Sequence, residues 1–309
     1  MATSLTTTYA GEFKDKYIAA ALTSGKTLDN GGVTILPNIA YKEVMQKSVM
    51  GDDLIVNAGC DYSDAGTLTL TERILEVEEF QVNKTECKKT FAQSWQSAEM
   101  GYSVQNQSLP KSFADFIVQQ YIAKIAAKTE TNIWAGVNAN AGEFDGFTTI
   151  AGDSDVIDVT GSAITSANVI SELGSIVDAI PSSLYGQEDM YVYVSQNIAR
   201  AYVRALGGFG ASGLGAAGTN SQGTQWWNNG SLSFDGVKLF VANGLADDTA
   251  VAAEKSNLYF GTGLLSDHNE VKVIDMGDLD GSQNVRVIMR FTSGVQYGIG
   301  GDIVYRVNS

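Results

Sequence analysis

Two cysteines, three prolines and one histidine are all that this 309-residue chain holds of those residues, and each scarcity removes a class of protein. Cys60 and Cys87 are too few for a disulfide framework, and with no secretory signal ahead of them they fit a reducing compartment. His268 is the single imidazole, so no familiar zinc spacing of His and Cys is available. Positive charge is also short: 20 Lys and Arg stand against 35 Asp and Glu, a net charge of −15. Reading nucleic acid requires clustered Lys and Arg to neutralise phosphates, so sequence-specific binding is excluded. An acidic wall that encloses DNA is not. No apolar run reaches the roughly 20 residues that span a bilayer, and Met1 to Gly11 lacks the basic flank and apolar stretch of a secretory signal.

What the chain does have is core-forming material: 44% apolar and 9% aromatic residues, enough for one large core or two lobes. Its most distinctive stretch is Gly66 to Gln96. Leu68, Leu70, Leu75, Val77, Phe80 and Val82 follow a two-residue period that slips at Ile74–Leu75, the signature of half-buried strands. Glu72, Glu76, Glu78 and Glu79 make one half acidic; Lys84, Lys88 and Lys89 make the other basic. A polar two-stranded ribbon is marginal by itself in water, so it requires a cover, either the chain's own body or a neighbouring copy. The same lysines surround Cys87 and favour its thiolate, but an inert thiol is the expected reading.

Around this ribbon the periodicities predict an α+β chain. Residues 12–24 have helical spacing, with Phe13, Tyr17 and Ala20 or Ala21 on one face and Gly25 as a stop. Ile39 to Met50 reads as a second short helix. After Pro110, Ser112 caps a helix in which Phe113, Ile117, Tyr121 and Ile125 repeat every four residues and which runs through Trp134 to Gly136, about six turns. Gln119, Lys124, Lys128 and Glu130 form its wet face. Further on come a helix near 165–180, a strand at Met190–Val194, a helix from Ser195 to Leu206 and a strand at Val237–Ala242. A Gly/Ser/Ala segment, Gly207 to Gly223, interrupts them, too long for an ordinary loop. From Leu258 the chain is mostly strand: Leu258–Phe260, Val271–Ile274, Val285–Phe291, Val295–Ile299 and Ile303–Val307.

The catalytic inventory is thin. His268 lies beside Asp267 in a turn, with no Gly-x-Ser-x-Gly elbow to supply a nucleophile. Gly208, Gly210 and Gly213 have the spacing of a dinucleotide fingerprint but follow a helix instead of a strand, so chain flexibility is their expected use. Asp153, Asp155 and Asp158, and Asp275, Asp278 and Asp280, offer oxygens without the twelve-residue calcium-loop pattern; turn carboxylates are expected. The reading is therefore of no enzyme, with no catalytic, cofactor-binding or metal-binding residue.

Taken in order, these segments resemble the major capsid proteins of tailed double-stranded-DNA bacteriophages, the Hong Kong 97-type fold, over nearly the whole chain. The residues that carry the likeness are the ribbon, Asp115-Phe-Ile-Val-Gln-Gln-Tyr-Ile-Ala-Lys-Ile125 through Trp134-Ala-Gly136, and the tail Val285 to Gly298. The resemblance implies an N-terminal arm over 1–50 and an extended β-hairpin (E-loop-like) over 51–95. It implies a peripheral domain with the spine helix over 96–136 and 263–309, and a mixed axial domain over 137–262. It implies a subunit without catalysis that self-assembles, as pentamers and hexamers, into an icosahedral shell enclosing phage DNA. Portal, scaffolding or decoration proteins would be its partners, no membrane is involved, and it would reside in the virion after assembly in the host cytoplasm. Glu76, Glu78, Glu79, Lys84, Lys88 and Lys89 are then the expected subunit-interface residues. No hairpin Lys–Asn crosslink is expected, because no reacting pair can be matched. The weighed alternatives are an encapsulin-type nanocompartment shell, an exported surface-layer or adhesin protein, and a nucleotide-using enzyme.

Overall fold

The structure, a computed structural model, describes residues 26–50, 54–57, 60, 65–87, 111–152, 155–207, 232–263 and 272–308. One helical turn, α1 (Lys26–Asp29), leads into the short strand β1 (Thr34–Leu36). Then come β2 (Lys42–Met50), β3 (Leu68–Glu76) and β4 (Glu78–Cys87), followed by the long helix α2 (Lys111–Ala135) and the single turn α3 (Phe147–Ile150). The middle of the chain alternates: β5 (Ile157–Gly161), α4 (Val169–Asp178), β6 (Met190–Val194), α5 (Gln196–Gly207), β7 (Leu232–Phe234), β8 (Val237–Val241) and β9 (Ala250–Glu254). It closes with β10 (Leu258–Thr262), β11 (Lys272–Asp275), the turn α6 (Gly277–Asp280), β12 (Asn284–Tyr297) and β13 (Val304–Asn308).

Three sheets result among the described residues. A six-stranded mixed sheet runs β5-β13-β9-β6-β8-β7, a five-stranded sheet runs β1-β10-β12-β11 with β4 also on β12, and β2 and β3 form a ribbon of their own. The period-two rule explains how the first sheet buries both faces. Met190, Val192 and Val194 of β6 and Ala250 and Ala252 of β9 face α4 and α5, meeting Leu173, Ile176 and Ile198. The alternate residues Tyr193, Val251 and Ala253 join the second cluster, which includes Trp134 of α2, Phe147 of α3, Phe260 of β10 and Val295 and Tyr297 of β12. The end of the spine helix is thus the hub of the molecule. Trp134 is fully buried between the rings of Phe147 (5.4 Å) and Tyr193 (5.0 Å).

The α+β expectation holds, and α2 matches the expected long helix, but four local readings are corrected. Lys42–Met50, read as helix, is a strand: every residue from Lys42 to Met50 pairs in antiparallel register with Glu76 back to Leu68, and that ladder outweighs local propensity. Glu130, read on the wet face of α2, is buried, because the amide and hydroxyl of Thr27 donate to its two oxygens at 3.0 and 2.6 Å. The two strands expected at 285–291 and 295–299 are one. The Thr292-Ser-Gly segment read as a break is where β12 exchanges partners, from β11 to β10, and Thr292 accepts the Gly263 amide at 2.6 Å there. Lastly, β13 lies between β5 and β9 in the six-stranded sheet, not in the sheet that holds β12, because Val304 packs in the α4/α5 core and Arg306 pairs with Glu172 of α4. The helix read over 12–24 lies outside the described residues.

Candidate subunit-contact surface

The β2–β3 register sorts the ribbon's side chains into two faces. Val44 opposite Ile74 and Met50 opposite Leu68, with Leu70 between them, share one face, and all five are exposed, Leu70 by 65% and Leu68 by 60%. The connecting segment adds Ile55 at 94%. An apolar row of this kind on an extended ribbon is a candidate contact surface. The opposite face turns inward only at its base. There Leu75 is fully buried and packs with Ile39 and Val77, and with the partly buried Leu36, Met45 and Tyr259. Gly261 makes room for that ledge: a Cβ at this position would stand 2.9 Å from both Ile39 Cδ1 and Leu75 Cδ2.

The charges sit differently from the sequence reading. The acidic and basic halves are not the two strands of one ribbon, because β4 leaves β3 at Val77 and pairs with β12 over Glu78–Cys87. Glu76 ends the ribbon and binds Lys42 at 2.9 Å; the Lys42 hydrogen bond, with a further one from Tyr41, holds its carboxyl below the usual range. Glu78 and Glu79 lie on the body sheet, opposite Ser293 and Thr292. Glu79 lines a cleft of about 830 Å³ together with Phe80, Arg290 and Phe291. Lys84, half-exposed, lies 3.6 Å from Glu86. Glu86 also accepts the Tyr121 hydroxyl at 2.9 Å, and burial together with that carboxylate pushes the Tyr121 phenol up to about 12. Lys88 and Lys89 lie outside the described residues.

What the sequence reading missed is the apolar row. Its signal was present in the alternation of Leu68 and Leu70, but the partner strand had been read as helix, so the shared face with Val44 and Met50 was invisible.

Three of the candidate carboxylates have structural partners. Asp155 binds Arg73 and Tyr297. Asp275 accepts the Gly277 amide at 3.0 Å and Asp280 the Ser282 amide at 2.8 Å, which makes them turn carboxylates. Asp153, His268 and Gly208 to Gly223 lie outside the described residues. Among the described residues no group of three or more His, Cys, Asp or Glu is placed to hold a metal ion, and no described helix is long and apolar enough to cross a membrane. Cys60 is exposed, Cys87 half-buried, and both are free.

Comparison by sequence finds no matching family model and no matching curated protein. Comparison by structure is productive. A chain of Gordonia phage Cozz superposes with a TM-score of 0.60 at 11% identity, over 92% of this chain and 87% of that one. The capsid of Myoviridae phage XM1 gives 0.57 at 12% identity, over 92% of each chain. The procapsid of satellite phage P4, which includes a size determination protein, gives 0.56 at 11% identity, over 94% and 97%. The chain has the fold of phage major capsid proteins, a mixed α+β architecture spanning nearly its full length.

Proposed function

We propose that this chain is the major capsid subunit of a bacteriophage, which self-assembles into an icosahedral shell around double-stranded DNA and performs no catalysis. The observation that carries the reading is the fold itself, shared with phage capsid chains over more than nine-tenths of this sequence. The ribbon's uncovered row of Val44, Met50, Leu68, Leu70 and Ile74 supports it. Such a row on a heterologous contact is covered when copies repeat around a closed ring. The net charge of −15 suits an enclosing wall that DNA does not stick to.

In this reading residues 1–50 are an arm, 51–95 an extended hairpin, 96–136 and 263–309 a peripheral domain and 137–262 an axial domain, to whose sheet the strand β13 returns. The β2–β3 pairing extends the hairpin back into the arm's last strand. Glu76 at the end of the ribbon and Glu78, Glu79 and Lys84 on the body sheet, together with Lys88 and Lys89, meet opposite charges of neighbouring copies arranged as pentamers and hexamers. Portal, scaffolding or decoration proteins complete the particle, in the virion after assembly in the host cytoplasm. Negative-stain electron microscopy with light scattering on the purified chain tests this. Closed particles, or free pentamers and hexamers, are expected; a chain that stays monomeric even with a scaffold supplied would overturn it.

A further inference from the structure

The ribbon leaves the body at a well-defined point. On β3 the residues from Leu68 to Glu72 are all exposed, whereas Leu75 is fully buried in the ledge with Ile39 and Val77. Arg73 lies between these regimes, on the same face as Leu75 and one side-chain repeat further out, about 7 Å along the strand. Its guanidinium binds the Asp155 carboxylate at 2.5 Å and stacks 4.0 Å from the centre of the Tyr297 ring. Tyr297 closes the triangle by donating its hydroxyl to Asp155 at 2.8 Å. Burial pushes the Tyr297 phenol up to about 12, with Arg73 opposing and Asp155 assisting, so the phenol keeps its proton and remains a donor. The three residues belong to three elements: the ribbon, the segment before β5, and the end of β12. Gly300 admits the Asp155 carboxyl, since a Cβ there would run into it.

The two anchoring layers differ in kind. The ledge is buried and apolar. The outer ion pair is partly wet, with side-chain exposures of 24% for Arg73 and 44% for Asp155, and pairs of that exposure hold weakly and reversibly. We propose that Arg73, Asp155 and Tyr297 form a latch that sets the angle at which the β2–β3 ribbon leaves the body, with the Leu75 ledge as its fulcrum. With the latch closed the ribbon has two fixed points and one direction. With it open the ribbon keeps the ledge and swings about it, and the hydrogen bond that the Gln296 side-chain amide donates to the Ile74 carbonyl (3.1 Å) is the next contact to give way. That the latch thereby decides where the apolar row is presented to a neighbour rests on the assembly reading above; the latch itself does not.

The chain's own two cysteines report the angle. Cys60 is exposed in the connection between β2 and β3, and Cys87 is half-buried on β4 in the body. Spin labels on both, read by double electron–electron resonance on single subunits checked by light scattering, are expected to give one narrow distance in the parent chain. Arg73→Ala and Asp155→Asn are each expected to broaden or shift that distribution. Amide exchange at residues 73–76 should also rise at least about tenfold, with β6 and β9 as protected as before. An unmoved distribution in both variants would overturn the latch. So would loss of protection across β6 and β9 in both, because the triad would then be a clamp on the whole fold. A chain that forms no shell but whose ribbon moves in the variants keeps the latch and loses the assembly reading; shells with an unmoved ribbon do the reverse.

Discussion

Arg306 of β13 and Glu172 of α4 meet at 2.8 Å, with the arginine side chain entirely out of water and the glutamate 16% exposed. The same guanidinium donates to the carbonyls of Ser162 and Asp248. One buried cation thus ties the last strand to the helix layer and to the two loops beside it.

Removing that cation should be costly. Arg306→Ala leaves Glu172 and two carbonyls without their cation, and breaking one side of a buried pair typically costs about 3–5 kcal/mol. Urea unfolding followed by circular dichroism is expected to show a loss in that range. A loss under about 1 kcal/mol would mean that water replaces the guanidinium.

Acid should act at the same pair. Burial by itself would raise the Glu172 carboxyl, but the hydrogen bonds from Arg306 and Ser162 outweigh it and hold it below the usual range. A carboxyl lowered in the folded state adds stability above its unfolded value of about 4.3, and that stability is lost as pH falls through the folded value. The urea midpoint is therefore expected to drop below about pH 4.3, and Glu172→Gln, less stable at neutral pH, should show a smaller drop across the same window.

Thr27 should matter out of proportion to its size. Its hydroxyl donates to Glu130 at 2.6 Å and accepts from the Trp134 indole at 2.8 Å, all three being buried. Thr27→Val leaves a carboxylate oxygen and an indole N–H unpaired, a loss of about 2–3 kcal/mol by unfolding. Thr27→Ser, which keeps the hydroxyl, should recover most of it; a Thr27→Val loss under about 1 kcal/mol would show that the hydroxyl is not what holds this contact.

The ribbon row separates folding from association. Leu68→Ser with Leu70→Ser removes the two most exposed leucines of β3, so the subunit's own stability should change by no more than about 0.5 kcal/mol. Closed particles or rings should be lost in electron micrographs. Intact assembly in this double variant would move the contact surface elsewhere.

Crowding at the ribbon base gives the opposite signature. Gly261→Val places carbon where Ile39 and Leu75 already stand, an overpacking of about 1–3 kcal/mol. Exchange should quicken at Leu75 and Val77 before the six-stranded sheet is affected.

The sequence was most legible where one periodicity served one environment. Helix α2 was legible because Phe113, Ile117, Tyr121 and Ile125 recur every four positions, but the buried apolar side chains are the neighbouring Ile122, Ala126, Ile133 and Trp134, with Tyr121 and Ile125 only partly covered. Met190–Val194 reads as strand because β-branched and aromatic residues continue through it. It was misleading where a partner distant in sequence decided the outcome. Lys42–Met50 has mixed spacing and takes its strand form from Leu68–Glu76. Glu130 looks like a solvated helix residue until Thr27, 103 positions away, supplies both donors.

By itself the sequence determined the α+β class, the long helix and most of the later strands, the acidic balance and the scarcity of catalytic groups, because composition and short-range periodicity are local properties of the chain. Only the tertiary structure decided which strands pair, that β4 belongs to the body instead of the ribbon, that β13 crosses into the six-stranded sheet, and that Arg73, Asp155 and Tyr297 converge. Those outcomes depend on contacts between residues tens to hundreds of positions apart, and a period of two states that a strand has a buried face without stating what covers it.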